Sequence, residues 1–181
     1  MPSSFLSSKL SPTAWLRTLP RRCLRRRRSE LSDNVDATTR SRMMAAVKSK
    51  NSRIEIALRS DLHGRGFRFR LHARHLPGTP DLVLTKFKAV VFIHGCFWHM
   101  HDCRLFKLPQ TRQEFWLNKL KRNAQRDQGS IQSLLQSGWR VAVIWECATR
   151  GPAAMGRESV AEKLSEWLKS NAVYLELGAV T

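Results

Sequence analysis

The sequence predicts an α/β protein in which helices flank a mixed central sheet. Two observations support this prediction. Apolar residues recur at helical spacing in three segments, 54–62, 116–135 and 157–170. Short runs rich in β-branched and aromatic residues lie between and beside them, at 67–71, 81–85, 89–93 and 139–145. The order α-β-β-β-α-β, followed by a terminal helix, is typical of a sheet covered by helices.

The first helices are predicted from their ends. Order is expected to begin near Asp36, with a short helix over residues 38–50. Ser52 and Glu55 have the spacing of a capping box, so a second helix begins there. Gly64 ends this helix, because glycine is favoured just past a helix terminus.

The predicted strands follow in quick succession. Residues 67–71 alternate apolar and basic side chains, as a half-exposed strand does. Residues 76–80, with the sequence LPGTP, predict a turn. Two further strands, 81–85 and 89–93, are joined by a short basic turn.

The C-terminal elements are longer. Thr111 and Glu114 repeat the capping-box spacing at the start of a long helix that runs to Gly138. Residues 139–145 predict a buried strand, and residues 157–170 an amphipathic helix.

The chain has the size and composition of one globular domain with tails. It has 181 residues, of which 42% are hydrophobic. Its net charge is +18; residues 1–30 carry eight basic residues against one acid, and the rest carry 24 against 13. Because the body is basic in its own right, nucleic acid is the expected partner. A high arginine content that only improves solubility would give the same charge.

Residues 1–35 differ from the rest of the chain. They contain Ser, Pro and the run Arg25–Arg28 without apolar periodicity, which predicts a disordered basic arm. An organellar transit peptide, or a start codon placed too far upstream, would also explain them. The main domain is then predicted to span residues 36–151, with the helix and tail of residues 152–181 packed on it.

The sequence shows no apolar run of transmembrane length and no signal-peptide core. The cysteines are therefore expected to be reduced, which favours metal ligation or burial over disulfides. We expect a cytoplasmic protein without a membrane partner.

A loop rich in metal-binding side chains is the most informative feature. Cys96, His101 and Cys103 lie in one loop, and Cys147 follows the end of a later strand. Three thiolates and one imidazole would satisfy a closed tetrahedral zinc site. Each cysteine alone would more often be a small buried hydrophobe.

An acidic residue lies at the start of a predicted strand. Asp81 follows Pro80, where a carboxylate can hold Mg²⁺ against a scissile phosphate. The same dipeptide also starts turns and strands that have no catalytic role. No acid-x-Lys motif follows on the next strand; instead His94 or His99 could activate water, because imidazole titrates near neutral pH.

The other histidines, His63, His72 and His75, are predicted to be structural or to contact phosphate.

Aromatic residues flank the same loop. Phe97, Trp98 and Trp116 could form a wedge that unstacks a base step, which costs least at a mismatch. Trp116 also fits the apolar face of its own helix. Candidates for groove contacts on that helix are Lys119, Asn123 and Arg126, although these could be a solvated face.

Together these residues resemble the very-short-patch repair (Vsr) endonuclease family. The resemblance covers about residues 36–151, and its matching stretches are 37–44, 76–81, 94–103, 111–116 and 138–147. It implies a restriction-endonuclease-like fold with a structural zinc. It also implies Mg²⁺-dependent nicking of duplex DNA beside the T of a T·G mismatch, the product of 5-methylcytosine deamination.

The resemblance further implies individual roles. Asp81 would be the principal Mg²⁺ ligand and His99 the general base, with His94 and Glu55 as supporting groups. Ile93 would ligate Mg²⁺ through its backbone carbonyl, at a position where many family members have a small polar residue. The zinc ligands would be Cys96, His101, Cys103 and Cys147. The residues inserted into DNA would be Met44, Phe97, Trp98 and Trp116.

Two other hypotheses account for most of these sequence features. One is a zinc-stabilised DNA-binding module without catalysis, and the other is a nuclease that lacks mismatch specificity. If the protein is a mismatch endonuclease, its partner is mismatched duplex DNA, with mismatch-repair proteins as further candidates. The protein would act as a monomer in the bacterial cytoplasm, associated with the nucleoid through DNA.

Overall fold

The computed structural model describes residues 36, 38, 39, 42 and 51–179. The predicted basic arm, Met44 and most of the helix predicted over residues 38–50 lie outside these residues. Thr38, Thr39 and Arg42 are helical. The Asp36 carboxylate accepts a hydrogen bond from the Thr39 amide at 2.7 Å, which is the geometry of a helix N-cap.

Five strands form one mixed sheet in this part of the chain, and their order in the sheet is their order in sequence. The first three pair antiparallel, whereas the third, fourth and fifth pair parallel. The strands are β1 (Arg70–Leu71), β2 (Leu82–Leu84), β3 (Ala89–His94), β4 (Arg140–Trp145) and β5 (Tyr174–Leu177).

The helices cover this sheet and supply its parallel crossovers. They are α1 (Arg53–Gly64), α2 (Gln113–Gln136), α3 (Glu146–Thr149) and α4 (Arg157–Lys169), with a 3-10 turn at Thr85–Phe87. The predicted class, a mixed sheet flanked by helices, is confirmed. None of the helices among the described residues has the length and apolarity needed to cross a bilayer.

Alternate residues of β3 enter two different cores. Ala89, Val91 and Ile93 pack in a cluster with α1 and α4, whereas Val90 and Phe92 pack with α2. All six residues of β3 are buried, as expected for a strand covered on both faces. The strand therefore ends, at His94, inside the protein and not at its surface.

One predicted capping box is confirmed and the other is wrong. Ser52 accepts a hydrogen bond from the Glu55 amide, and the Glu55 side chain binds back to Ser52. The long helix α2 instead begins at Gln113, because Arg112 has a positive φ of 51° and lacks a side-chain cap. Thr111 and Glu114 are therefore displaced by one residue from the two positions that a capping box occupies.

The strand β5 was not predicted. Its four residues, Tyr174–Leu177, alternate polar and apolar side chains as a half-exposed strand does, so a strand signal is present but spans only four residues. The strand forms because β4 offers it a parallel edge, with Val143 opposite Glu176 and Ile144 opposite Leu177.

Candidate functional site

Two strand ends bring the candidate residues together. His94 and Trp145 are register partners at the ends of β3 and β4. Because the two strands are parallel, the loop after His94 and the short helix after Trp145 leave the same edge of the sheet. The cysteines of residues 96–103 therefore meet Cys147 there.

The predicted metal ligands converge at this edge. Side-chain donor atoms of Cys96, His101, Cys103 and Cys147 all lie within 4.8 Å of one another. The three cysteines are buried and free of disulfides. Two sulfurs accept backbone hydrogen bonds: Cys96 from the Cys147 amide at 3.4 Å, and Cys147 from the Ala179 amide at 3.1 Å. Three thiols and one imidazole in this arrangement suit a tetrahedral ion such as zinc.

Burial controls protonation in this cluster. It raises the pKa of the Cys96 and Cys147 thiols, and it lowers the pKa of His101. Burial thus disfavours the anionic form of the cysteines, and a bound cation would reverse this preference because only thiolates ligate metals. The backbone N–H groups that donate to the Cys96 and Cys147 sulfurs also favour the thiolate form.

Asp81 lies immediately before β2 and reaches across to β3. Its Oδ2 atom accepts a hydrogen bond from the Ile93 amide at 2.7 Å. Its Oδ1 atom lies 4.0 Å from Nδ1 of His72. Burial raises the pKa of Asp81 to about 6, and the nearby Glu55 adds to this, whereas the Ile93 hydrogen bond opposes it. A cation bound beside this carboxyl would displace its proton and favour the ionised form.

His94 and His99 form a stacked pair. Their ring centroids lie 3.8 Å apart and their planes differ by 3°. His94 is buried, and its Nδ1 atom has no hydrogen-bond partner among the described residues. Burial, with a further contribution from His99, lowers the pKa of His94 to about 3. His94 is therefore a neutral ring that supports His99.

Sequence reasoning missed the acid that orients His99. The Nδ1 atom of His99 lies 2.5 Å from the Oδ2 atom of Asp127, on α2. Since a carboxylate can only accept, neutral His99 carries its proton on Nδ1 and presents Nε2 as a base. The sequence gives no local signal for this pair: Asp127 lies four residues after Asn123 on the same face of the helix, but its partner is 28 residues away in the chain.

The Asp81 and His99 groups belong to one site. Asp81 accepts a hydrogen bond from the Ile93 amide, and the next residue, His94, stacks on His99. A positive charge on His99 would lower the pKa of the Asp81 carboxyl. A cleft of about 630 Å³ opens beside His99 and Asp127. The cleft lies between the turn at residues 77–79 and α2, and Arg126 and Asn123 line it.

Glu55 lies in a polar network beside Asp81. Its carboxylate closes the capping box with Ser52 and accepts a hydrogen bond from Arg59 at 2.8 Å. The same Arg59 nitrogen lies 3.3 Å from Nε2 of His72, which in turn faces Asp81. Arg59 was not predicted to contribute, and His72 was placed among histidines with a structural or phosphate role.

The predicted wedge residues form one aromatic cluster. The rings of Phe97 and Trp98 meet edge-on at 5.0 Å, and Trp116 lies 5.5 Å from Phe97 and 6.1 Å from Trp98. Lys119 places its ammonium over both indoles, 5.5 Å from Trp98 and 5.3 Å from Trp116. Asn123 donates to the Trp98 carbonyl at 3.1 Å. All three residues are half-buried, so part of each remains accessible to a ligand.

Comparison with known proteins identifies the family. A model of the family described as DNA mismatch endonuclease Vsr matches residues 32–105. DNA mismatch endonuclease Vsr of Escherichia coli is 46% identical over 138 residues, which is 76% of this chain and 88% of the relative. The chain belongs to the Vsr family.

Two nicking enzymes extend this comparison. Type II nicking enzyme V.XorIIP of Xanthomonas oryzae is 48% identical over 65% of this chain and 86% of its own length. Type II nicking enzyme V.NmeAIP of Neisseria meningitidis is 38% identical over 68% of this chain and 88% of its own length. The resemblance inferred from the sequence is thus confirmed. Within the segment that the Vsr model matches lie Asp81, His99 and the loop cysteines; Asp127 and Cys147 lie beyond it.

Proposed function

We propose that this protein is a DNA endonuclease that nicks duplex DNA beside the T of a T·G mismatch, with Mg²⁺ at Asp81 and Zn²⁺ at the cysteine cluster. The observation that carries the proposal is the pair formed by His99 and Asp127, which lies in the same site as Asp81 and directly after Trp98 of the aromatic cluster. A base, an acidic metal ligand and a stacking surface are the parts that such a reaction needs.

His99 is proposed to be the general base. Its Nδ1–H donates to Asp127, so its Nε2 atom can take a proton from water as the water oxygen attacks phosphorus. Asp127 holds the ring in the correct tautomer and stabilises the imidazolium that forms. His94 fixes the plane of the ring from the other side by stacking at 3.8 Å.

Asp81 is proposed to hold the catalytic cation. A hydrogen bond from the Ile93 amide fixes one carboxylate oxygen, and the other oxygen lies 4.0 Å from Nδ1 of His72. The Ile93 carbonyl and Glu55 are proposed as supporting groups. Mg²⁺ bound here would neutralise charge that develops on the scissile phosphate.

The zinc ion is proposed to be structural. All four candidate positions around it would be filled by Cys96, His101, Cys103 and Cys147, which leaves no open position for a substrate. The same loop carries His99 and Trp98, so the ion would hold the base and the wedge in a fixed geometry.

The aromatic cluster is proposed to recognise the mismatch. Phe97, Trp98 and Trp116 would insert between base pairs, with Met44 entering from the opposite groove. Because a T·G pair is already weakened, the cost of unstacking is smaller there than at a fully paired step. Lys119, Asn123 and Arg126 would contact the neighbouring phosphates or base edges from α2.

Two paired measurements test this proposal. Asp81→Ala should abolish Mg²⁺-dependent nicking of a T·G duplex and leave binding to that duplex within about twofold, because the wedge remains intact. Glu162→Ala, on the exposed face of α4, is the matched control and should nick normally. Nicking by Asp81→Ala at the control rate would reject the mechanism.

The choice of duplex separates the alternatives. Matched duplexes with T·G, T·A and C·G at one position should be cut only at T·G. Equal cutting of all three would indicate a nuclease without mismatch specificity, and binding without cutting would indicate a DNA-binding module. A panel of T·G contexts would then define the flanking sequence. We propose that the enzyme acts as a monomer on the bacterial nucleoid in the cytoplasm; a pull-down would test mismatch-repair proteins as partners.

A further inference from the structure

The terminal strand β5 contacts the site through a buried indole. Trp145 is the last residue of β4, and only 8% of it is exposed. Its Nε1–H donates to Oε1 of Glu176 at 2.6 Å. The other carboxylate oxygen of Glu176 accepts from the Tyr174 hydroxyl at 3.0 Å. Both oxygens are thereby engaged, so the carboxylate holds the indole in one orientation.

The same indole touches three imidazoles. It stacks on His101, with ring centroids 4.2 Å apart and planes 14° apart. Its ring meets His94 at 5.3 Å and His99 at 6.5 Å, both steeply inclined. One side chain therefore contacts a candidate metal ligand and also both rings of the stacked pair. A rotation of the indole would displace all three.

We propose that Glu176 is a positioning residue that, through Trp145, sets the ring planes of His94, His99 and His101. The catalytic part of this inference rests on the proposed function. Its structural part, the restraint on the imidazoles, holds for the zinc-loaded protein whatever reaction it performs.

The backbone after β5 completes this arrangement. A Cβ atom on Gly178 would lie 3.1 Å from both the His101 ring and the Trp145 ring. The backbone at Gly178 therefore packs directly against these two rings. The next residue, Ala179, donates its amide to the Cys147 sulfur at 3.1 Å. Residues 176–179 thus contact the indole, the imidazole and a thiol of one cluster.

A carboxylate at position 176 is unfavourable unless its oxygens accept hydrogen bonds. The side chain is half-buried, and burial raises the pKa of Glu176. An apolar residue would fill this position without the cost of desolvating a charge. A carboxylate, however, offers two acceptors, and Trp145 and Tyr174 each supply one donor. The residue therefore matches the donors around it.

The test compares two substitutions of one residue in the zinc-loaded full-length protein. Glu176→Ala removes both acceptors, whereas Glu176→Gln keeps an oxygen for the Trp145 N–H. We expect Glu176→Ala to lower kcat for a T·G duplex by about tenfold with KM changed by less than about twofold, because a displaced base affects the chemical step. Glu176→Gln should recover most of this loss. Glu162→Ala is again the matched control.

Two readouts are independent of nicking. In ¹H–¹⁵N spectra of the imidazoles, Glu176→Ala should shift or broaden the signals of His94, His99 and His101, and leave those of His63 and His75 unchanged. Zinc transfer to a chromogenic chelator should become several-fold faster. Unchanged signals and zinc transfer would overturn the inference, as would an equal loss in the Gln and Ala variants.

A third substitution provides a test of the inference if the Glu176→Ala variant does not fold. Tyr174→Phe keeps the ring but removes the hydroxyl that donates to Glu176, and it should shift the same three signals. Wild-type signals in that variant would overturn the inference. If the wild-type protein itself does not nick T·G duplexes, the proposed function fails, while the imidazole spectra and zinc transfer still decide the role of Glu176.

Discussion

Asp127 on the long helix α2 lies 2.5 Å from Nδ1 of His99, in a loop 28 residues earlier in the chain. The contact joins this amphipathic helix to the loop that carries the candidate metal ligands. It fixes which nitrogen of His99 faces the cleft. The helix therefore orients His99 as well as covering the sheet, and in the proposed mechanism it supplies the acid that holds the base.

Asp127→Asn should disable the base while preserving the fold. An amide can donate to Nδ1, which would place the histidine proton on Nε2, the wrong nitrogen for accepting one from water. We expect kcat to fall by about 10²–10⁴-fold with little change in affinity for mismatched DNA. Single-turnover nicking and fluorescence anisotropy measure the two quantities; a parallel loss of both would argue for a structural role.

Asp81→Asn should stabilise the metal-free protein at neutral pH. Burial raises the pKa of Asp81 from 3.8 to about 6, so folding penalises its charged form. Below pH 3.8 the group is neutral in both states and has no effect; the penalty grows between these values and is complete above about 6. The variant should therefore gain up to about 3 kcal/mol at pH 8 and nothing near pH 3.5. Urea unfolding at the two pH values checks this.

Mg²⁺ binding provides the control for that effect. Because the proton and the cation compete for Asp81, affinity for Mg²⁺ should fall as the pH drops through about 6. Calorimetric titration of the wild type between pH 5 and 8 measures this dependence, and Asp81→Asn should show no Mg²⁺ binding at any pH. An affinity that stays constant over this range would contradict the assignment of Asp81 as ligand.

Local sequence signals account for much of the fold and the metal cluster. The strand β3 and the capping box at Ser52 were predictable, because apolar runs and hydrogen-bonding caps act over a few residues. Three of the four candidate metal ligands were recognisable within one loop. Cys147 could be added because parallel strands end at the same edge of a sheet.

The residues that escaped prediction depend on contacts between distant segments. Asp127 reads as one more polar residue on an amphipathic helix until the fold places it against His99. Glu176 lies in a short strand at the edge of the sheet, where β4 pairs with it, and its hydrogen-bond partner Trp145 is 31 residues earlier in the chain. The predicted cap at Thr111 failed for a local reason, the left-handed conformation of Arg112, which an arginine gives no sign of adopting.

Removal of the metal from the cysteine cluster should release the loop. Cys103→Ser replaces one soft ligand by a hydroxyl, so we expect loss of bound zinc and a fall in the thermal midpoint of several degrees. Atomic absorption and calorimetry measure these changes. Cys23→Ser, which alters the one cysteine of the sequence that is not among the proposed ligands, should retain wild-type zinc content. Full zinc content in Cys103→Ser would exclude this residue as a ligand.

Trp98→Ala should reduce mismatch recognition more than catalysis at a bound site. The indole packs edge-on against Phe97 and lies beneath the Lys119 ammonium, so its removal opens the aromatic cluster and leaves His99 paired with Asp127. Loss of one stacked ring costs about 1–3 kcal/mol, which corresponds to roughly 5- to 150-fold in affinity for a T·G duplex. Met155→Ala removes another apolar side chain, 36% exposed and not part of the aromatic cluster, and should bind normally. Because the wedge meets its smallest opening cost at the weakened pair, Trp98→Ala should also narrow the ratio of binding to T·G over T·A duplexes. An unchanged ratio would mean that groove contacts from α2, and not the aromatic rings, distinguish the mismatch.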